Sequence, residues 1–234
     1  NARYEYPEDR QPKVKITNTN GGYVMKATHE GAPIARMLNQ AGISAFVLDY
    51  RVMPFASVDT PIGDGQRAVR LLRSMGYEKV AILGFSAGGH LALSGAVLDI
   101  PGETARQRPN AVILGYPVIT AGKFAHRGSF VQLAGSEDAA AQAAFSLEDK
   151  ITPDTPPVFV WHTMEDRTVP VENTLLLLSA LRRAGVACEA HLFEQGVHGT
   201  SISTAEVDAA DRHRARWVTL CLEWLGRTFG FDLR

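Results

Sequence analysis

The sequence predicts an α/β architecture: a mostly parallel sheet flanked by helices on both faces. Three observations carry this. Strand-like and helix-like segments alternate almost throughout the chain. The strand-like runs are near-continuous in apolar residues rather than alternating, as expected of strands covered on both sides. The 234 residues, 45% hydrophobic and 21% charged, have ordinary globular values. That length suits one α/β domain over residues 1–234 and is short for two.

The elements follow in order. Residues 14–17 form a short β-type run, and residues 3–6 are placed to add an antiparallel edge strand ahead of it. Residues 31–41 read as a helix ending at Gly42. Residues 43–50 (ISAFVLDY) are a strand expected to be covered on both faces. Residues 62–75 carry Ile62, Val69, Leu72 and Met75 at helical spacing, with Gly76 as a stop. Residues 79–85 form another buried strand, 91–98 a helix, and 111–116 (AVILGY) and 158–162 (VFVWH) two further strands. Residues 171–184 place Val171, Leu175, Leu178 and Leu181 on one stripe, stopped by Gly185. A strand over 187–193 and a closing helix over 207–229 complete the chain. Repeated strand–helix–strand units imply parallel pairing. The least regular stretch, 120–157, is too short for a large lid domain and suits a small helical excursion.

Charge and composition exclude several classes. Lys and Arg total 24 against 25 Asp and Glu, a net charge of −1. No basic stripe stands out, so neither nucleic acid nor a membrane surface is an expected partner. The largest basic group, Arg212, Arg214 and Arg216 with His213, reads as a solvated helix face. No apolar run approaches the roughly 20 residues that span a bilayer. The first residues, Asn1-Ala2-Arg3-Tyr4, lack the charged-then-apolar pattern of a signal peptide, and they lack an initiator Met. Cys188 and Cys221 sit in no metal or redox spacing and read as two buried free thiols. The expectation is a reducing, cytoplasmic compartment, with secretion the alternative if a signal peptide was removed. Association into a homo-oligomer stays open.

The strongest chemical signal is Gly84-Phe85-Ser86-Ala87-Gly88, followed by Gly89. This is G-x-S-x-G between a buried strand and an apolar helix. So tight a strand-to-helix turn strains the serine backbone and holds its hydroxyl at the carboxyl end of the sheet. The glycines give room for the chains to pass closely. The N–H of Ala87 is then placed to stabilise an oxyanion.

A serine hydroxyl is a weak nucleophile and needs a base. With this motif the chain order is serine, acid, histidine. Of the seven histidines, His29 and His90 precede or adjoin the serine, His126 lies in the irregular stretch, His162 and His191 belong to strands, and His213 lies among arginines. His198 alone sits in a loop after the last strand, between glycines (Gly196-Val197-His198-Gly199). It is the candidate base. After VFVWH, Glu165 and Asp166 both qualify as the acid by position. Asp166 is preferred because D-x-x-V-P turns this loop into the next helix, and Glu165 reads as a solvated carboxylate. The second oxyanion donor is expected from Asn18-Thr19-Asn20-Gly21-Gly22-Tyr23, with Gly21 and Gly22 as donors. Asp64 reads as a cap at the start of its helix, and Arg51 as a brace for nearby loops. No residue pattern has metal-ligand spacing and no phosphate-binding glycine motif is present, so no metal or cofactor is expected.

With these residues in view, the chain resembles the small acetyl-esterase and acetyl-xylan-esterase-like branch of the α/β-hydrolases. That branch is near hormone-sensitive-lipase-like and bacterial feruloyl-esterase sequences. The matching pieces are NGGY (20–23), FVLDYRV (46–52), DGQRAVRLLR (64–73), ILGFSAGGHLA (82–92), SLEDKITPDTPPVFVWHTMEDRTVPVENTLLL (146–177) and GVHG (196–199). The resemblance implies an α/β-hydrolase fold without a large lid domain. It gives Ser86, Asp166 and His198 the triad roles, and Ala87 with the Gly21–Gly22 loop the oxyanion role. The chain departs from the family at Thr19-Asn20, where Pro or His and a further glycine are usual. Asn tolerates unusual φ better than most residues. The implied activity is removal of small acyl groups, chiefly acetyl, from carbohydrate or similar alcohols.

The expected function is therefore a serine carboxylesterase acting on a small-molecule ester or an acetylated carbohydrate. The alternatives are a prolyl-oligopeptidase-like serine peptidase and a non-catalytic α/β-hydrolase that binds a ligand or partner.

Overall fold

A computed structural model of the chain describes residues 13–17, 23–24, 27–52, 60–99 and 108–231. The edge strand expected over residues 3–6 lies outside them. Among the described residues the scaffold is a sheet of six strands: β1 (Lys13–Thr17), β2 (Ser44–Leu48), β3 (Val80–Phe85), β4 (Ala111–Gly115), β5 (Val158–Thr163) and β6 (Cys188–Phe193). Their order is β2-β1-β3-β4-β5-β6, and every pair is parallel.

Alternate residues of these strands feed two cores, because successive side chains point to opposite faces. Ala81, Leu83 and Phe85 of β3 face one side with Ile113, Phe159 and Trp161. There they meet Ile34 and Leu38 of α1 (Ala32–Gln40) and Trp217, Cys221 and Leu225 of α7 (Arg216–Phe229). Ile82, Val112, Leu114, Val158 and Val160 face the other side. They pack on α3 (Ala87–Val97) and on Leu177 and Leu181 of α6 (Glu172–Ala184). Helix α2 (Thr60–Ser74) adds Val69 and Leu72 against Val80. Residues 87–96 of α3 are all buried, as befits a helix that is apolar all round. It lies close to α2 because a Cβ at Gly65 would stand only 3.0 Å from Leu91.

The chain order creates the place for a site. From β1 it crosses outward to β2, then returns past β1 to β3 and continues outward in the opposite sense. The carboxyl ends of β1 and β3 therefore flank a topological switch point, where open parallel sheets bind ligands. The irregular stretch forms two short helices, α4 (Arg127–Ala134) and α5 (Ala139–Ala143). Among the described residues no helix is long and apolar enough to cross a membrane.

Several expectations are corrected. Among the described residues β2 stands at an edge of the sheet, half-buried with Val47 exposed; an apolar run shows that a strand is covered somewhere, not where it stands in the sheet. Cys188, on β6, is exposed, while Cys221 is buried as expected. The closing helix begins at Arg216 rather than residue 207, because the Asp211 carboxylate accepts from His213 N and Arg214 N and organises a turn ahead of it. Arg214 is buried, donating to Ser203 Oγ at 2.8 Å and to the carbonyls of Gln195 and Ala209 at 3.2 Å; only its basic neighbours are exposed. Asp64 stands one turn inside α2, where it accepts from Arg51 N at 3.0 Å and from its guanidinium at 2.6 Å.

His90 of α3 joins the layers. Its Nε2 donates to Phe145 O at 2.8 Å, so Nδ1 is the acceptor facing Tyr23 Oη at 2.7 Å and Ser94 Oγ at 3.2 Å. Burial pushes its pKa down to about 4, with the Phe145 hydrogen bond opposing this in part. An unfolded histidine binds a proton below about pH 6.5, whereas the folded one does so only near 4. This contribution is complete above pH 6.5 and is lost as pH falls through 4. Between pH 7 and 4.5, urea unfolding should show wild type losing about 2 kcal/mol more than His90→Gln. Equal losses would mean that His90 is not a buried neutral group.

Candidate active site

The tight turn expected after β3 is present. Ser86 has φ 52° and ψ −124°, a strained conformation for a residue with a side chain. Its backbone is pinned from two directions, with Ser86 N donating to Gly115 O and Val118 N donating to Ser86 O, both at 3.0 Å. A Cβ at Gly84 would lie 1.9 Å from Gly88 O, and one at Gly89 2.7 Å from Pro117 Cβ. Only glycine allows the strand and helix to pass this closely. Ala87 is the first residue of α3, and an N–H there has no acceptor within the helix.

The structure brings Ser86, His198 and Asp166 into one hydrogen-bonded line. Ser86 Oγ is 2.8 Å from His198 Nε2, and His198 Nδ1 is 2.6 Å from Asp166 Oδ2. The Asp166 side chain is buried. Burial works to raise its pKa, but hydrogen bonds from His162 and His198, the His198 charge and the Val169 N–H hold it well below the usual carboxylate range. The ionised carboxylate only accepts, so His198 Nδ1 donates to it. In the neutral imidazole, Nε2 is then left with a lone pair towards the Ser86 hydroxyl. Asp166 Oδ1 takes the backbone N–H groups of Thr168 and Val169, both at 2.9 Å.

Glu165 is exposed, as its solvated reading expects, yet it also accepts from Gly196 N at 3.1 Å. Gly21 and Gly22 lie outside the described residues. Tyr23, directly after them, is buried and held by His90. A cavity of about 650 Å³ opens beside Asp166 and His198, between residues 164–168 and 197–198. Among the described residues, no group of three or more His, Cys, Asp or Glu could hold a metal ion.

A sequence model of the prolyl oligopeptidase family matches residues 60–230. The chain belongs to that family. It is also 36% identical over 225 residues to endo-1,4-beta-xylanase B of Butyrivibrio fibrisolvens, covering 87% of this chain and 35% of that protein. Identity to an acetylxylan esterase of Xylanibacter ruminicola is 33% over 211 residues, 85% of this chain and 43% of that one. The chain thus spans less than half the length of these two relatives. The crystal structure of an acetyl ester-xyloside bifunctional hydrolase from Caldicellulosiruptor lactoaceticus superimposes with a TM-score of 0.87 at 36% identity, covering 98% of this chain and 88% of that one. These likenesses bear out both the α/β-hydrolase fold and the resemblance to acetylxylan-esterase sequences.

In this member of the family, several supporting residues escaped the sequence reading. His162 is fully buried below Asp166. Its Nε2 donates to Val169 O at 3.0 Å and faces Asp166 Oδ2 at 3.3 Å, while Nδ1 accepts from Thr174 Oγ1 at 2.8 Å. Tyr116 lies edge-on against the His198 ring, with centroids 4.9 Å apart. Its hydroxyl donates to the buried Glu30 carboxylate at 2.6 Å and accepts from Ser201 N at 3.0 Å. Ser201 Oγ donates to His29 O at 2.7 Å, and Trp217 Nε1 to Ser201 O at 3.0 Å. From below, Thr163 Oγ1 donates to Gly196 O at 2.7 Å. The loop bearing His198 is therefore fastened at Gly196 and Ser201. Pairs 86 residues apart, such as Glu30 and Tyr116, leave no local pattern.

Tyr116→Phe keeps the ring but removes the donor to Glu30 and the acceptor for Ser201 N. It should lower the urea unfolding free energy by about 2 kcal/mol. A change within error of zero would mean that this hydroxyl does not hold the loop.

Proposed function

We propose that the chain is a serine carboxylesterase that hydrolyses short acyl esters, chiefly acetyl, of small molecules and of carbohydrates such as acetylated xylan. The observation that carries this reading is the continuous line from Ser86 Oγ through His198 to buried Asp166, at 2.8 and 2.6 Å. The likeness to an acetylxylan esterase and to an acetyl ester-xyloside hydrolase supports the substrate class.

In this mechanism Ser86 is the nucleophile and His198 the general base. As Oγ attacks the ester carbonyl, its proton passes to His198 Nε2. Asp166 stabilises the imidazolium and remains ionised. The Ala87 N–H and the Gly21–Gly22 loop hold the oxyanion. The imidazolium then protonates the departing alcohol, leaving an acyl-enzyme on Ser86. Water, activated by the same imidazole, releases the acid. The short excursion of α4 and α5 supports small acyl groups over long lipid chains.

The family's name keeps one second reading alive, a peptidase acting after proline. Turnover of an aminoacyl-proline amide with no ester turnover would favour it. A non-catalytic binding protein is the remaining alternative, and it predicts that Ser86 stays unlabelled by a fluorophosphonate in the folded chain.

The esterase reading expects Ser86 to be labelled. It expects Ser86→Ala to lower kcat by roughly 10⁴–10⁶ and Asp166→Asn to cost less. In a 4-nitrophenyl ester series, kcat/KM should be higher on acetate than on octanoate. The reverse order would overturn the short-acyl assignment, and Glu165→Gln more damaging than Asp166→Asn would overturn the choice of acid.

A further inference from the structure

Two imidazoles face Asp166 Oδ2, and the proton transfer proposed above uses one of them. We propose that His162, the other, is a positioning residue for the reaction: it steadies the Asp166 carboxylate from the sheet, so that Oδ2 stays aimed at His198 Nδ1. This rests on the esterase reading above.

The need for a second donor comes from the carboxylate itself. The Asp166 side chain is wholly buried, and an ionised carboxylate offers about four acceptor positions. Oδ1 is filled by Thr168 N and Val169 N, both at 2.9 Å. Those donors belong to the same turn as Asp166 and move with it. Oδ2 takes His198 Nδ1 at 2.6 Å, and His162 Nε2 stands 3.3 Å from the same oxygen. Without His162, the side-chain donor left to Oδ2 among the described residues is His198 alone. That donor sits on a loop and changes charge during the reaction. A buried anionic oxygen held only by it is free to turn, because the terminal torsion of an aspartate is broad.

His162 differs from His198 in what holds it. It lies in β5, paired with Leu192 of β6, and its ring is fully buried. Val169 O, 3.0 Å from Nε2, can only accept, so Nε2 carries a proton. In the neutral ring Nδ1 then accepts from Thr174 Oγ1 of α6 at 2.8 Å, and Thr174 is itself fully buried. The positive end of the Nε2–H bond is shared between Val169 O and Asp166 Oδ2. One ring fixed in the sheet thus spans both ends of the Asp166–Val169 turn. A dipole set in place beforehand costs no reorganisation when His198 becomes imidazolium.

A purely structural histidine is the competing account. Val169 O and Thr174 Oγ1 satisfy both ring nitrogens, so a structural role needs nothing from Asp166. It predicts lost stability with turnover unchanged, whereas positioning predicts lost turnover.

The test uses the whole chain and 4-nitrophenyl acetate, with two variants: His162→Leu, which removes both ring nitrogens, and His162→Gln, whose amide nitrogen reaches the place of Nε2. His162→Leu should lower kcat about tenfold or more with KM little changed, and His162→Gln should recover most of that loss. In proton NMR, the His198 Nδ1–H signal should move upfield in His162→Leu and return towards its wild-type position in His162→Gln. Nitrogen-15 NMR of the wild type, which depends on no variant folding, should place the His162 proton on Nε2. Wild-type kcat and an unmoved His198 signal in His162→Leu overturn the positioning role and leave the esterase reading standing, as does His162→Gln no better than His162→Leu. A wild-type His162 proton on Nδ1 alone, turning a lone pair towards Oδ2, also overturns the role. No ester hydrolysis by the wild type overturns the esterase reading and the role together.

Discussion

The buried carboxylate of Asp166 is the constraint on which the rest of this site depends. A charge taken out of water is costly unless its acceptor positions are filled. Here Oδ1 takes two backbone N–H groups while Oδ2 takes His198 and faces His162. The first pair folds the β5–α6 loop around its own carboxylate. His198 in turn receives a fixed orientation and a fixed proton. Asp166 is therefore a structural keystone of two loops as well as the partner of His198.

The sheet explains why such an arrangement forms here. The strained Ser86 turn can persist because Gly115 at the end of β4 and Val118 in the loop after it grip its backbone, and because glycine at 84 lets the α3 backbone approach β3. Among the described residues His198 has no such rigid strand beneath it. Its loop is tied instead by Thr163, Arg214 and the Tyr116–Ser201 contact. Arg214 also crowds Gly196, where a Cβ would stand 2.6 Å from the guanidinium. The two halves of the proposed triad are held by different means: backbone strain on one side, side-chain ties on the other.

Much of this was legible in the sequence, for identifiable reasons. G-x-S-x-G and D-x-x-V-P encode backbone geometry locally, and chain order then leaves His198 as the histidine in the right loop. What could not be read depends on partners far along the chain. A buried Glu30 gives no sign of Tyr116. His162 reads in the sequence as the end of a strand, although it packs under Asp166. Arg214 was read with its basic neighbours as solvent-facing, because charge pattern alone cannot show that one member points inward. The position of β2 at the sheet edge follows from strand order, which periodicity does not report.

The central claim is that buried, ionised Asp166 fixes the His198 proton on Nδ1, leaving Nε2 to receive the proton of Ser86. Nitrogen-15 NMR of the histidine rings tests it directly. At neutral pH, His198 should carry its proton on Nδ1 in a strongly downfield hydrogen bond, and Asp166→Asn should abolish that signal. A His198 protonated on Nε2 in the wild type, donating towards Ser86, would contradict the account.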